Sequence, residues 1–293
     1  MAQPRWKSGL SATAAFILGF LFLLSGGWKL TDPLGWAVKV HQALVPSAIS
    51  LPAALGVGIS ETLGGVLLFI PRFRRWGAWI TGGLLVAFLA YFAINYNTLR
   101  GADCSCFPWL KRAVGPGFFI GDFAMLACAL LAGWWSRRSE GLRGAVMVLA
   151  AVAVVAGASY AWSVAQLTGA KAPDTVTVDG KPYSLQQGKI VVFFFDPECM
   201  HCFHAAKTLA SHKWLGAKIV SVPTRMPQFA GQFMTDTGLK SDITTDLAKL
   251  KAVFPFGDGP YGVALEHGHL KAALPMFDEK EPYATLKGLG FVE

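Results

Sequence analysis

The chain has 293 residues, of which 53% are hydrophobic and only 15% charged, and its mean hydropathy is positive. A soluble domain carries about 25% charged residues, so part of this chain is expected in lipid. The formal charge of +8 does not mark a nucleic-acid binder, because the basic residues are scattered or bracket apolar runs.

Five apolar runs reach the roughly 18 residues needed to cross a bilayer, at 11–28, 51–71, 76–97, 117–135 and 144–167. The first is read as a span and not as a cleaved signal. It is long for a signal core, no small-residue cleavage site follows it, and Gly26, Gly27, Trp28 and Lys29 read as a helix end at the interface. Glu61 falls inside the second run; Asp122 and Cys128 fall inside the fourth. An ionisable group inside a span is costly and marks a pathway, a pair or a ligand site. No basic partner is evident in the runs, so proton exchange is expected at Glu61. Asp122 either shares that role or reaches the interface. Cys128 is expected to pack as a small hydrophobe.

Basic residues set the expected topology. Arg5 and Lys7, then Arg72, Arg74 and Arg75, then Arg137, Arg138 and Arg143 fall on one side if five helices alternate. That side is expected to be the cytoplasm, with the protein in the inner membrane. Lys29, Lys39, Arg100, Lys111 and Arg112 fall on the other side and blur the bias. Segment 98–116 and everything after the fifth span then face a compartment in which disulfides persist, the periplasm or its equivalent.

After Gly169 polar residues, prolines and turn signals appear, so the expected division is a helical membrane domain, 1–168, and an α/β domain, 169–293. Residues 189–195 read as a buried strand and 217–222 as a second. Helices are predicted at 199–211, 227–237, 246–254 and 282–289, and a hairpin at 261–267 and 270–276 around Gly268.

Cys199 and Cys202 form a C-x-x-C pair just after the first of these strands and at the start of a helix. Unsatisfied N–H groups and the helix dipole favour an anion there, so Cys199 gains thiolate character. His201, between the cysteines, adds a donor and positive charge. A stabilised thiolate favours the dithiol and makes the disulfide more oxidising. Half of a zinc site or a structural bridge are the alternatives. Zinc needs two more ligands; His204, His212, His267 and His269 are available, but no second C-x-x-C or H-x₃-H run exists. Met200 and His201 would suit copper.

The strand–CxxC–helix order, and Gly259-Pro260-Tyr261 opening a later strand, resemble the thioredoxin superfamily over residues 171–293. The resemblance implies a cis-proline at Pro260 packed against the redox pair. Thioredoxins often bury an acid six positions before the first cysteine; here that position is Phe193, so Asp196 or Glu198 would have to handle the proton.

Gly27-Trp28-Lys29, Glu61 followed by Gly64-Gly65, and Asp103-Cys104-Ser105-Cys106-Phe107 resemble the DoxX-like/MauE membrane family over residues 10–136. Members commonly carry Cys-Gly-Cys-Phe-Gly where this chain has Ser105 and Pro108 at the glycine places. The resemblance implies a link to disulfide formation in exported partners. A C-x-C pair can form a small strained ring, and strained disulfides are labile and oxidising. The combined expectation is a thiol–disulfide oxidoreductase. Cys199 and Cys202 would exchange with exported protein thiols or disulfides, Cys104 and Cys106 would relay electrons, and the bundle would communicate with a lipid-soluble carrier such as a quinone. No tightly bound cofactor is expected. A metal-handling protein using both pairs, or a bundle that only anchors a thioredoxin-like assembly factor, are the rival expectations.

Overall fold

A computed structural model describes residues 4–101, 113–167, 170–257, 259–278 and 280–293. It divides into two compact units, Met1–Ala161 and Trp162–Glu293.

The first unit is helical: α1 (Arg5–Thr31), α2 (Pro33–Gln42), α3 (Ser47–Phe69), α4 (Arg74–Ile94), the single turn α5 (Tyr96–Leu99), α6 (Pro116–Trp134) and α7 (Leu142–Leu167). Among the described residues five helices are long and apolar enough to cross a membrane, and they coincide with the five predicted runs. The short α2 has no counterpart in the expected elements. Asp32 opens it by accepting the Gly35 N–H at 2.9 Å, and Pro33 occupies the first helical position, where its missing N–H costs nothing.

Lipid supplies no hydrophobic drive between helices, so association depends on close packing of small residues. A Cβ on Gly26 of α1 would lie 2.5 Å from Thr62 Oγ1 of α3, and one on Gly65 of α3 would lie 2.8 Å from the Leu23 backbone nitrogen. These two glycines let α1 and α3 approach backbone to backbone. Ala15, Leu18, Leu68, Ala78, Leu85 and Ala132 fill the adjoining core. Ser11 on α1 donates to the Ala132 carbonyl of α6 at 3.1 Å, and Ser159 on α7 donates to the Leu30 carbonyl.

The second unit is α/β. An antiparallel pair, β1 (Thr175–Val178) and β2 (Lys181–Ser184), precedes β3 (Lys189–Phe195). Then follow α8 (Met200–Ser211), β4 (Lys218–Pro223), a 3₁₀ turn at Pro227–Phe229, α9 (Ala230–Thr237), β5 (Asp242–Ile243), α10 (Leu247–Val253), the hairpin β6 (Tyr261–Glu266) and β7 (His269–Leu274), and α11 (Tyr283–Gly288). The sheet order is β5-β4-β3-β6-β7, with β3 parallel to β4 and antiparallel to β6. This is the thioredoxin-like arrangement: a central strand feeding a CxxC helix, a parallel neighbour on one side and an antiparallel hairpin on the other.

β3 is apolar throughout because both of its faces are covered. Val191, Phe193 and Phe195 point into one core with α8, α9 and α11; Ile190, Val192 and Phe194 point into the other with α10. A strand buried on both sides reads as a continuous hydrophobic run. The predicted strands and helices of this unit all exist, with ends shifted by a few residues. β1, β2 and β5 were not foreseen; they are short, and β1 and β2 alternate only weakly.

Candidate redox site

β3 delivers the chain to the site through a tight turn. The Phe195 carbonyl accepts from both the N–H and the hydroxyl of Thr224, at 2.8 and 3.1 Å, which ties the end of β3 to the segment leaving β4. The Asp196 carbonyl accepts the Cys199 N–H at 3.0 Å, and its Oδ1 accepts the Glu198 N–H at 3.1 Å. Asp196 thereby folds the Asp-Pro-Glu-Cys segment and sets Cys199 as the N-cap of α8.

At that position Cys199 Sγ accepts the Cys202 backbone N–H at 3.4 Å. Both cysteines are free thiols, Cys199 half-buried and Cys202 0% exposed. The Cys202 thiol donates to the Cys199 sulfur, and this bond is the largest cause that pulls the Cys199 pKa down to about 6. Burial opposes the shift; the backbone N–H groups of Cys202 and His201 reinforce it. The same thiol–thiol bond, together with burial, pushes Cys202 upward. The pair is therefore asymmetric, with a partly exposed thiolate in front and a protonated, enclosed thiol behind it.

His201 is exposed, and its main-chain N–H is one of the groups that favours the thiolate. The Gly259–Pro260 bond is cis, and a Cβ built on Gly259 would sit 3.3 Å from Cys202 Sγ, so the segment entering Pro260 lies against the Cys202 thiol. Phe193 is fully buried, stacked on Phe195 with ring centroids 5.7 Å apart. Asp196 donates its main-chain N–H to Cys202 Sγ at 3.4 Å, and its carboxylate lies 3.9 Å from Arg225 Nε. Arg225 was not among the expected site residues; nothing in local sequence links it to the cysteines, since the parallel pairing of β3 and β4 creates the contact.

In the helical unit the reading of Glu61 as lacking a basic partner is corrected. Lys29 Nζ lies 2.6 Å from Glu61 Oε2, and Ser25 Oγ donates to the same oxygen at 2.9 Å. Lys29 also reaches Ser25 Oγ at 2.6 Å and lies 4.7 Å from the centre of the Trp36 ring. The side chains of Lys29 and Glu61 are 5% and 3% exposed. Lys29 lies in the last turn of α1, which ends at Thr31, and is buried within the helical unit. Serine and lysine four residues apart lie on one helix face, and a lone lysine on that spacing was the overlooked signal. Asp122 is buried on α6 and does not lie at a surface. Cys128 is partly buried against the core that includes Ala129 and Ala132.

Cys104 and Cys106 lie outside the described residues. Among the described residues no group of three or more His, Cys, Asp and Glu side chains is placed to hold a metal ion.

Residues 7–136 match the family model described as methylamine utilisation protein MauE. No curated protein matches the chain. Similar solved structures include the thioredoxin domain of a thiol-disulfide oxidoreductase from Bacteroides vulgatus, 18% identical, covering 42% of this chain and 97% of its own, with a TM-score of 0.36. A thiol:disulfide interchange protein from Bacteroides sp. is 17% identical over 42% of this chain and 90% of its own, with a TM-score of 0.34. A secreted disulfide oxidoreductase from Mycobacterium tuberculosis is 20% identical over 42% and 95%, with a TM-score of 0.33.

Proposed function

We propose that this chain is a membrane-bound thiol–disulfide oxidoreductase. Cys199 exchanges with thiols or disulfides of exported proteins, Cys202 resolves the mixed disulfide, and Cys104 and Cys106 relay the electrons. The observation that carries the reading is the asymmetry of the thiol pair: a thiolate-forming Cys199 with a pKa of about 6 at a helix start, backed by a buried, proton-holding Cys202. A structural bridge has no need of that difference, whereas an attacking and a resolving thiol require it.

The helical bundle anchors the site and is the route to a bilayer carrier, for which a quinone has the right solubility and two-electron chemistry. The basic clusters favour a cytoplasmic N-terminus and an extracytoplasmic redox domain. Lys29 no longer blurs that bias, because Glu61 neutralises it inside the bundle.

Trapping tests the relay. In the full chain, a Cys202→Ser, Cys106→Ser double variant is expected to accumulate a Cys199–Cys104 mixed disulfide, mapped by mass spectrometry of non-reduced peptides. Its absence under both oxidising and reducing challenge would overturn direct exchange between the pairs. Cys199→Ser is expected to abolish exchange with a cysteine-bearing exported protein; retained activity would overturn the assignment of the attacking thiol.

A further inference from the structure

The net charge of the chain belongs to one of its two units. From residue 162 onward 13 Lys and Arg are balanced by 13 Asp and Glu, so the whole excess of +8 falls on the helical unit. Within that unit the charge gathers where α3 turns into α4 and where α6 leads into α7. Segments 70–76 and 134–145 carry Arg72, Arg74, Arg75, Arg137, Arg138 and Arg143 against a single acid, Glu140.

The two segments are joined at one end of the bundle. The Glu140 N–H donates to the Arg72 carbonyl at 3.4 Å, and the Trp76 N–H donates to Ser139 Oγ at 3.3 Å. A Cβ on Gly144 would lie 2.5 Å from Arg72 Nη2, so this guanidinium rests on the first turn of α7. The start of α1 lies at the same end: the Trp6 and Trp135 rings are 5.7 Å apart, and Lys7 Nζ is 5.4 and 5.9 Å from their centres. Among the described residues no carboxylate lies within 4.0 Å of the six guanidiniums or of Lys7. Arg72, Arg137, Arg138 and Arg143 are exposed.

An apolar furrow begins beside this basic end. It runs between α4 and α6, lined by Trp79, Gly83 and Val86 on one helix and Leu126 and Leu130 on the other, with a volume of about 280 Å³. Trp79 stands one turn beyond Arg75, and Leu130 stands one turn before Trp134, where the link to Arg137 and Arg138 begins. Trp79, Val86 and Leu130 are about half exposed, and a Cβ on Gly83 would meet nothing within 4 Å, so the furrow is open along its length.

A free phosphate gains nothing from an apolar furrow, and a neutral carrier headgroup gains little from six guanidiniums. A molecule with a phosphate head and a hydrocarbon tail uses both. Guanidinium forks match phosphate oxygens, and arginine clusters beside membrane spans attract anionic headgroups. Exposed Trp6 and Trp134 place aromatic rings at the same level, as interfacial belts do. We propose that this end of the helical unit binds an anionic phospholipid, its phosphate held among the arginines of the α3–α4 turn and the α6–α7 link and one acyl chain laid in the furrow between α4 and α6. The site is independent of the cysteine chemistry.

The test uses the full chain in neutral detergent, with phosphatidylglycerol and phosphatidylcholine of identical acyl chains. Native mass spectrometry reads bound lipid, and thermal unfolding reads its effect. Phosphatidylglycerol is expected to bind about 25-fold more tightly, the preference that two arginines supply. Arg75→Gln and Arg138→Gln are each expected to lower that preference about 5-fold, and Arg138→Lys, which keeps the charge, to retain most of it. Gly83→Leu fills the furrow and is expected to weaken retention of both lipids without lowering the lipid-free unfolding midpoint. Equal retention of the two lipids by the parent would overturn the proposal. So would protection by inorganic phosphate as strong as that by phosphatidylglycerol, which would mark an anion site with no lipid. If Gly83→Leu leaves lipid retention unchanged and converts a dimer to a monomer, the furrow seats a second copy of the chain and the acyl-chain assignment fails; unchanged retention with no such conversion overturns that assignment as well.

Discussion

The Lys29–Glu61 pair gives a sharp test of how the helical unit is held together. Its members sit on α1 and α3, 2.6 Å apart, with side chains 5% and 3% exposed, and Ser25 bonds to both. Lys29→Met leaves a buried carboxylate without its cation, and Glu61→Leu leaves a buried ammonium without its anion. Removing one partner of a buried pair costs about 3–5 kcal/mol, because the survivor stays desolvated. That is a factor of about 10² to 10⁴ in the folded-to-unfolded ratio. Replacing both by apolar residues removes both desolvation penalties and is expected to be close to neutral. The coupling energy from the double-mutant cycle should therefore reach several kcal/mol. Ser25→Ala is a smaller perturbation, about 1 kcal/mol, since one hydrogen bond is lost from a group that keeps its charge partner. The assay is reversible unfolding of the full chain in mixed detergent micelles, followed by circular dichroism. Single variants costing under about 1 kcal/mol, or a double variant as unstable as the sum of the singles, would refute the reasoning. Either result would mean that water or another cation reaches Glu61 when Lys29 is removed.

Alkylation of reduced Cys199 by iodoacetamide is expected to titrate with a midpoint near 6. Cys202→Ala should move that midpoint toward the ordinary thiol value, and Cys202→Ser, which retains a side-chain donor, should move it less; equal midpoints in all three proteins would refute the thiol–thiol bond as the main cause. The depressed pKa also links redox state to pH. Thiolate stabilisation of the reduced form is full above the ordinary thiol pKa of about 8.5 and is lost as pH falls through about 6. Unfolding of the reduced redox unit monitored between pH 5 and 9 should show that loss, and the oxidised unit should not. Gly26→Leu or Gly65→Leu is expected to separate α1 from α3, costing at least the 1–3 kcal/mol typical of overpacking, whereas Gly27→Leu, whose Cβ meets nothing within 4 Å, should be tolerated. Thermal unfolding of the three variants side by side checks this.

Much of the chain was legible because its signals are local. Five long apolar runs, a strand of Ile, Val and Phe, and a C-x-x-C following it each state their own secondary structure through length, periodicity or position. The weak elements escaped for the same reason. β5 is two residues long, and α2 is a ten-residue helix lodged between two spans. Lys29 lies in the last turn of α1, as its place at the end of the first run suggests, but its pairing with Glu61 was missed because hydropathy along one segment carries no information about a contact with another helix.

From composition and spacing alone follow a helical bundle suited to lipid, an α/β tail, and a cysteine pair at a helix start, because apolar length and helix-end electrostatics act over a few residues. Which groups serve that pair is decided only by tertiary structure. Arg225 reaches Asp196 across two parallel strands, and Gly259 reaches Cys202 from the segment that enters β6, the antiparallel neighbour of β3. Glu61 finds its cation on another helix. Those contacts join residues between 29 and 57 positions apart in the chain, and the physical reason they form is packing, to which each segment alone is blind.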